Sequence, residues 1–306
     1  MRVLITGAAG FLGKECVQQF MGESYEVVTT DRIGEVDFRG NLADVLFATS
    51  LPNVDVVVNC AAVQYVSKDI PLFFRKKYFR TNNILPAKNL SERYKNSNTH
   101  FIHVGTSMMY QQTGQDLYGV NSHMAGEGIY SKSKLEAQAY IDAIPCSATV
   151  VPCSIGGEGR EGLFRGFVTM MKRYGCVVFP GQGEHKIHMV HVSDVAGLIL
   201  RIALLRASGF FNAAAPEPLS IRQWIEQIKD ELRIKRVVPL SIPFLPVKCL
   251  SWLSCYRILA REQLLMLELP HVLSVEESLA LGWKPKFTNA RIARDIAVHI
   301  SREKDE

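Results

Sequence analysis

The chain has 306 residues, 47% apolar and 21% charged, with no low-complexity tract or internal repeat, which excludes a disordered or fibrous protein. A formal charge of +5 is mild at this length, and its densest cluster, Arg75-Lys76-Lys77 with Arg80 one turn on, reads as a solvated helix face, too small a stripe for nucleic acid. The seven cysteines form no C-x-x-C pair, so they read as reduced thiols in a cytoplasmic setting.

The first element is a strand, Val3–Thr6, and its early position leaves no room for a signal peptide. A turn with Gly7-x-x-Gly10-x-x-Gly13 follows and opens a helix near Lys14–Met21. Gly7 suits the tight turn out of the strand, Gly10 lets backbone approach a pyrophosphate, and Gly13 lets the helix pack on the sheet. The helix start then offers free amides and partial positive charge to the phosphates.

Glu26–Thr30 is a second strand and ends at Asp31. A carboxylate there accepts from adenosine ribose hydroxyls and repels a 2′-phosphate, so NAD is favoured over NADP. Arg32 beside it is the feature that suits NADP. The continuous β-branched run Val54–Asn59 is a third strand of the kind buried on both faces. Asn82–Tyr94 reads as a helix, Phe101–Val104 as the fourth strand, Tyr130–Ile141 as a helix and Ala148–Val151 as the fifth strand. Strands alternating with helices predict an α/β fold with a doubly wound parallel sheet, a Rossmann arrangement.

After Pro152 the alternation weakens, with glycine-rich loops at 156–159 and 180–183 and a strong helix over 220–232 that Ser220 should cap. Residues 1–152, with return segments near 188–214, are therefore expected to bind the dinucleotide, and 153–306 to form a smaller, irregular substrate lobe. The apolar stretch 237–260 is interrupted by Pro239, Pro243, Pro246, Lys248 and Arg257, so it reads as an extended entry and an amphipathic helix from about Val247; attachment to a membrane surface is the lesser alternative.

Tyr130 and Lys134, four apart, share one helix face. A phenol titrates at about 10, and a nearby ammonium and a positive nicotinamide ring both favour the phenolate. Tyr130 can then exchange a proton with a substrate hydroxyl or ketone while hydride moves to or from the cofactor. A hydroxyl to orient the substrate oxygen is available at the end of the fourth strand, from Thr106 or Ser107.

Taken together these motifs resemble the extended short-chain dehydrogenase/reductase family, of the NAD-dependent epimerase/dehydratase type, over most of the chain. Thr6 to Gly13, with Phe11 and Leu12, matches the family's T-G-x-x-G-x-x-G. Gly40-Asn41-Leu42 resembles its adenine-contacting G-D-L, Ala61-Ala62 its A-A after the third strand, and Asn83 the asparagine that supports the active site. The resemblance implies that Thr106 is the catalytic hydroxyl, Tyr130 the acid/base, and Lys134 the group that lowers its pKa and holds ribose. "HMVHVSDVA" (188–196) resembles the segment returning to the cofactor domain, and "LGWKPKF" (281–287) a C-terminal signature.

Three positions depart from the pattern, the mildest being Asn41 in place of the aspartate of G-D-L, since an amide oxygen can still accept from the adenine amine. Gln111 replaces the glycine after Tyr110, and Ile187 stands where nucleotide-sugar epimerases often carry a diphosphate-binding arginine. The expected function is NAD-dependent hydride transfer at a secondary alcohol, with a nucleotide sugar as substrate in an epimerase or dehydratase. One alternative is a 3β-hydroxysteroid-dehydrogenase-like enzyme for a lipophilic 3-hydroxy or 3-keto compound, whose pocket Phe164, Phe167, Met170 and Met171 would line if they are not helix core. The other is a non-catalytic NAD-sensing or assembly subunit. The family implies a homodimer through a four-helix interface. No metal is expected: His185, His188 and His191, three apart in an extended segment, point to opposite faces. Cys153 reads as a small buried residue.

Overall fold

A computed structural model of the chain describes residues 1–65, 69–160, 162, 164–256 and 259–302. The strands are β1 (Arg2–Thr6), β2 (Glu26–Asp31), β3 (Phe38–Arg39), β4 (Val56–Asn59), β5 (His100–Val104), β6 (Ser147–Pro152), β7 (Ser154–Gly156), β8 (Cys176–Pro180), β9 (Lys186–Ile187), β10 (Met189–His191), β11 (Gly209–Ala213), β12 (Leu219–Ser220) and β13 (Val238–Ile242). The helices are α1 (Phe11–Gly22), α2 (Val45–Ser50), α3 (Arg75–Phe79), α4 (Leu85–Tyr94), α5 (Ile129–Ile141), α6 (Phe164–Tyr174), α7 (Val192–Leu205), α8 (Ile221–Glu231), α9 (Phe244–Leu253), α10 (Arg261–Glu268), α11 (Glu276–Ala280) and α12 (Asn289–Arg302).

Seven strands form one sheet in the order β11-β6-β5-β4-β1-β2-β3, every neighbour parallel, which is the doubly wound Rossmann sheet that the alternation predicted. All of Val56 to Asn59 and His100 to Val104 is buried, because helices cover both faces. The strand order reverses between β1 and β4, and ligands of such sheets bind at the carboxyl ends beside that reversal. β10, α7 and β11 carry residues 189–213 back onto the sheet, and α7 packs along α1. The return is pinned at Asp194, whose carboxylate accepts from the Lys286 and Phe287 amides while its carbonyl takes the Trp283 indole N–H. This explains why the two late motifs, far apart in sequence, occur together. A second core under α6, α8 and α12 centres on Trp224, whose ring lies tilted against Phe164 at 4.6 Å.

Two local expectations change and one holds. The helix expected over 82–94 is a wide π-type turn, Arg80–Ile84, followed by α4, because Pro86 has no N–H to donate to the Asn82 carbonyl four residues back. Ser220 does cap α8, in a reciprocal capping box with Gln223. The helix expected from Val247 starts at Phe244 and is not amphipathic toward this molecule: its one buried residue is Ser251. Among the described residues no helix is long and apolar enough to cross a membrane.

Candidate active site

Gly7 sits at φ +67°, and a Cβ there would lie 2.8 Å from the Ala61 backbone nitrogen. A Cβ on Gly13 would lie 2.0 Å from the Gly7 carbonyl oxygen, so both positions require glycine. The Gly10 amide donates to that same carbonyl at 2.9 Å and closes the turn. No side chain caps α1 and no acid occupies its first turn, so the Phe11, Leu12 and Gly13 amides face open space as an anion would need. Ala61 is held in turn by its amide bond to Thr6 Oγ1, at 3.3 Å.

Asp31 braces this turn from β2. Its Oδ2 accepts from the Ala9 amide at 3.0 Å and its Oδ1 from the Arg32 amide at 2.6 Å. Arg32 turns away, donating from Nη1 to Asn82 Oδ1 at 2.7 Å. Asn41 uses Oδ1 to accept from the Ala43 amide, and Leu42 is buried in the core with its carbonyl bonded to Asn89.

A cavity of about 710 Å³ opens at the reversal point. Gly7, Gly10, Phe11, Leu12, Gly13, Ala62, Thr106, Tyr130 and Lys134 all line it. Asp31, Asn41, Leu42, Ala61 and Asn83 lie outside its wall: Asp31 and Ala61 brace the glycine turn and Asn83 the loop after β4, whereas the bonds of Asn41 and Leu42, to Ala43 and Asn89, do not reach the cavity lining. Asn83 is the clearest case: its amide bonds both backbone groups of Val63 and also donates to Ser133 Oγ at 3.0 Å, clamping the loop after β4 to the helix that carries Tyr130. The wide turn before Pro86 puts Asn83 in that position.

Tyr130 is 5% exposed, packed edge-on against Tyr65 at 5.3 Å and tilted against Phe79. Burial, then the neighbouring Tyr65, push its phenol above the ordinary value; Glu262 adds to this, while Thr106 and the Arg160 guanidinium draw it down. Lys134 is equally buried and burial lowers it to about 8. Its Nζ donates to the Val104 carbonyl at 2.6 Å and lies 3.5 Å from His103 Nε2. Behind it runs a buried chain: Thr6 Oγ1 donates to Asn59 Oδ1 at 2.8 Å, and Asn59 Nδ2 meets His103 Nδ1 at 3.1 Å.

Thr106 and Ser107 both border the cavity but are placed differently. Ser107 Oγ is bonded to His271 Nε2 at 2.7 Å, and His271 Nδ1 to Gln112 Oε1 at 2.9 Å, so that hydroxyl is committed to the interior. Thr106 caps the short turn Ser107–Met109 and acts on Tyr130.

Sequence reasoning missed Arg160, Tyr65 and Glu262. Arg160 reaches Gln64 and lies 5.3 Å over the Phe11 ring. A lone arginine following Gly156-Gly157-Glu158-Gly159 was the available signal. Glu262 caps α5 from α10, accepting from the Ser131 amide at 3.1 Å, and nothing in sequence links residues 131 apart. The far wall is apolar: Met108, Phe164, Ile187, Met189, Met266 and Leu267. Phe167 and Met171 are core residues, and Met170 packs at the edge of that core. Cys153 lines the cavity, buried, with burial pushing its thiol well up. His188 bonds Ala215 and Leu273, His191 bonds Ser193 and stacks on Phe287 at 3.8 Å, and His185 is exposed.

Comparison with known proteins agrees with this architecture. The human epimerase family protein SDR39U1, solved with NADPH, superposes with a TM-score of 0.78 at 20% identity over 97% of this chain and 99% of that one. The UDP-glucose 4-epimerase of Thermotoga maritima, solved with UDP-glucose, gives 0.79 at 18% identity over 100% of both. DesIV, a dTDP-glucose 4,6-dehydratase from Streptomyces venezuelae with NAD bound, gives 0.76 at 20% identity over 100% and 98%. None of the curated protein sequences matches the chain. The model of one family matches residues 3–214, spanning the glycine turn, Thr106, Tyr130, Lys134 and the strand that completes the sheet; the chain belongs to the NAD dependent epimerase/dehydratase family.

Proposed function

We propose that this protein is an NAD-dependent oxidoreductase acting at a secondary alcohol or ketone. The observation that carries the reading is one cavity walled by the glycine turn and by Thr106, Tyr130 and Lys134. The uncapped start of α1 fits a pyrophosphate, Asp31 fits the adenosine ribose, and Arg32, engaged with Asn82, leaves NAD preferred over NADP. Bound NAD would supply the hydride acceptor. Tyr130 takes the proton from the substrate hydroxyl in oxidation and returns it to the ketone in reduction. Thr106 orients the substrate oxygen, and Lys134 adds positive charge and binds ribose. The positive nicotinamide ring and Arg160 oppose the burial that holds Tyr130 protonated. In this reading residues 1–152 and 188–214 serve the cofactor, and the rest of 153–306 shapes the substrate site.

The leading substrate class is a nucleotide sugar, with NAD retained through an epimerase or dehydratase cycle, a reading that membership of the epimerase/dehydratase family favours. A lipophilic alcohol is the second reading, favoured by the apolar far wall and by Ile187 in place of arginine. A cytoplasmic homodimer is part of the same proposal; all seven thiols are unpaired.

The deciding measurement is turnover of Tyr130→Phe with cofactor binding followed in parallel. Turnover is expected to vanish while NAD still binds; unchanged turnover rejects the assigned acid/base, and wild-type protein that binds NAD but turns over nothing in either substrate class would favour a sensing or assembly subunit. Protein isolated with stoichiometric NAD supports the epimerase cycle. Protein isolated empty, which reduces added NAD with sterol-like alcohols, supports the second reading.

A further inference from the structure

β13 pairs with β8 over Val238–Ile242 and leads into α9, and together they form an arm whose side chains are largely exposed. Every residue of β13 is exposed, and Ser251 is the only buried residue of α9. Leu245 is 70% exposed, Trp252 66% and Leu253 70%. Arg75 joins a second apolar tip to this arm by donating from Nη1 to the Cys255 carbonyl; Phe73 and Phe74 stand beside it, Phe74 at 82% exposure. Isolated exposed leucines are ordinary, but exposed Leu, Phe and Trp gathered on one short arm and on the tip bonded to it make a surface that something covers.

The charges beside this surface indicate what that is. From Leu232 to Arg261 the sequence has six basic residues and no acidic one, and Ile70 to Arg80 has four basic and none acidic. Lys248, Arg261 and Arg80 are paired, with Glu268, Glu127 and Glu136. Arg233, Lys235 and Arg236, just before β13, and Lys76 and Lys77, just after Phe74, are exposed. A second copy of this face would bring like charges together, which opposes self-association through it. A strand added from another protein would meet a poor edge. Val238 donates to Gly175 and Ile242 accepts from Gly181, so residues 239, 241 and 243 face outward, and two of those three are prolines without an N–H.

We propose that β13 and α9, with the 72–77 turn beside them, seat the protein on an anionic lipid surface. Ten-residue α9 is far too short to span a bilayer and would lie in the headgroup region, its leucines and Trp252 in the acyl boundary and the basic residues before β13 and after Phe74 on the phosphates. The proposal stands independently of the hydride-transfer reading, since no residue of the arm borders the 710 Å³ cavity.

Full-length protein mixed with phosphatidylcholine vesicles, with and without phosphatidylglycerol, tests it by co-sedimentation and tryptophan emission. Trp224 and Trp283 are buried, so a blue shift on adding vesicles reports on Trp252. Binding and blue shift are expected with the anionic vesicles and should fall steeply with salt. A double variant, Trp252→Ser with Leu253→Ser, should lose roughly tenfold or more of the partitioning at an unchanged melting temperature. The proposal is overturned by equal binding to neutral vesicles, by binding unaffected in the double variant, or by no binding at low salt. It is equally overturned if Trp252 proves shielded from acrylamide in a lipid-free dimer, which would make the face a contact between copies.

Discussion

Lys134 Nζ lies 3.5 Å from His103 Nε2, at the end of the buried chain that starts at Thr6. The orientation of that chain matters. Asn59 spends its oxygen on the Thr6 hydroxyl, so its amide N–H faces His103 Nδ1 and the imidazole carries its proton on Nε2, toward the lysine. An N–H aimed at an ammonium suits the neutral amine, in line with burial lowering Lys134 to about 8. The unfolded chain holds that proton to about 10.4. Between these values the unfolded state binds more protons, so stability rises with pH across the window, and below about 8 the full cost is present. Lys134→Met should therefore be more stable than wild type at pH 7, by up to about 3 kcal/mol, with the advantage shrinking above pH 8 and turnover lost throughout. Denaturant unfolding at neutral and alkaline pH measures this; a variant that is less stable at pH 7 would refute the strain ascribed to the buried ammonium.

Glu262 acts on Tyr130 from α10. Its carboxylate raises the phenol's pKa and caps α5 at Ser131. Glu262→Gln keeps an oxygen for the cap and removes the charge. The rise of alcohol oxidation with pH should then move down, on the order of half a unit, and ketone reduction should begin to fall at correspondingly lower pH. Glu262→Ala also leaves the Ser131 amide without its acceptor and should cost about 1 kcal/mol or more of stability. An unchanged pH profile in the glutamine variant would remove Glu262 from the account of Tyr130.

Asp31 has two duties that one substitution separates. Asp31→Asn keeps an oxygen for the Ala9 amide but loses the charge that repels a 2′-phosphate. NAD preference over NADP should weaken by about tenfold with little change in stability. Asp31→Ala should in addition loosen the glycine turn and weaken both cofactors. Isothermal titration with NAD and NADP distinguishes the two, and an unaltered ratio in the asparagine variant would remove the reason for preferring NAD.

Gly13→Ala places a methyl 2.0 Å from the Gly7 carbonyl and 2.8 Å from Ala8 Cα. The neighbours are backbone, so the turn must move. Loss of dinucleotide binding is expected, with a lowered melting temperature. Gly22→Ala meets no atom within 4 Å and serves as the control on the same helix. Equal binding by both variants would disconnect the turn from the cofactor.

The parallel sheet was legible because Val3–Thr6, Glu26–Thr30 and Val54–Asn59 are short, β-branched runs spaced by helices, a local pattern that survives any packing. The glycine turn was legible for the same reason, since Gly7 and Gly13 are demanded by backbone geometry within a few residues. The Tyr130-Lys134 spacing placed both on one helix face, but their surroundings were not visible. Arg160, Glu262, His271 and His103 meet Tyr130, Ser131, Ser107 and Lys134 only after distant segments fold together.

The same division explains the two misjudged helices. Pro86 was in plain view, yet its effect depends on the missing bond to Asn82, which turns Asn83 toward Ser133. The stretch 237–260 has enough apolar residues to suggest a packed helix, and only the assembled surface left it outside the core. Sequence alone determined what depends on neighbours along the chain: strands, the glycine turn and the phase of a helix. Tertiary structure decided protonation, hydrogen-bond partners and exposure, because each depends on charges and surfaces contributed by residues far away in sequence.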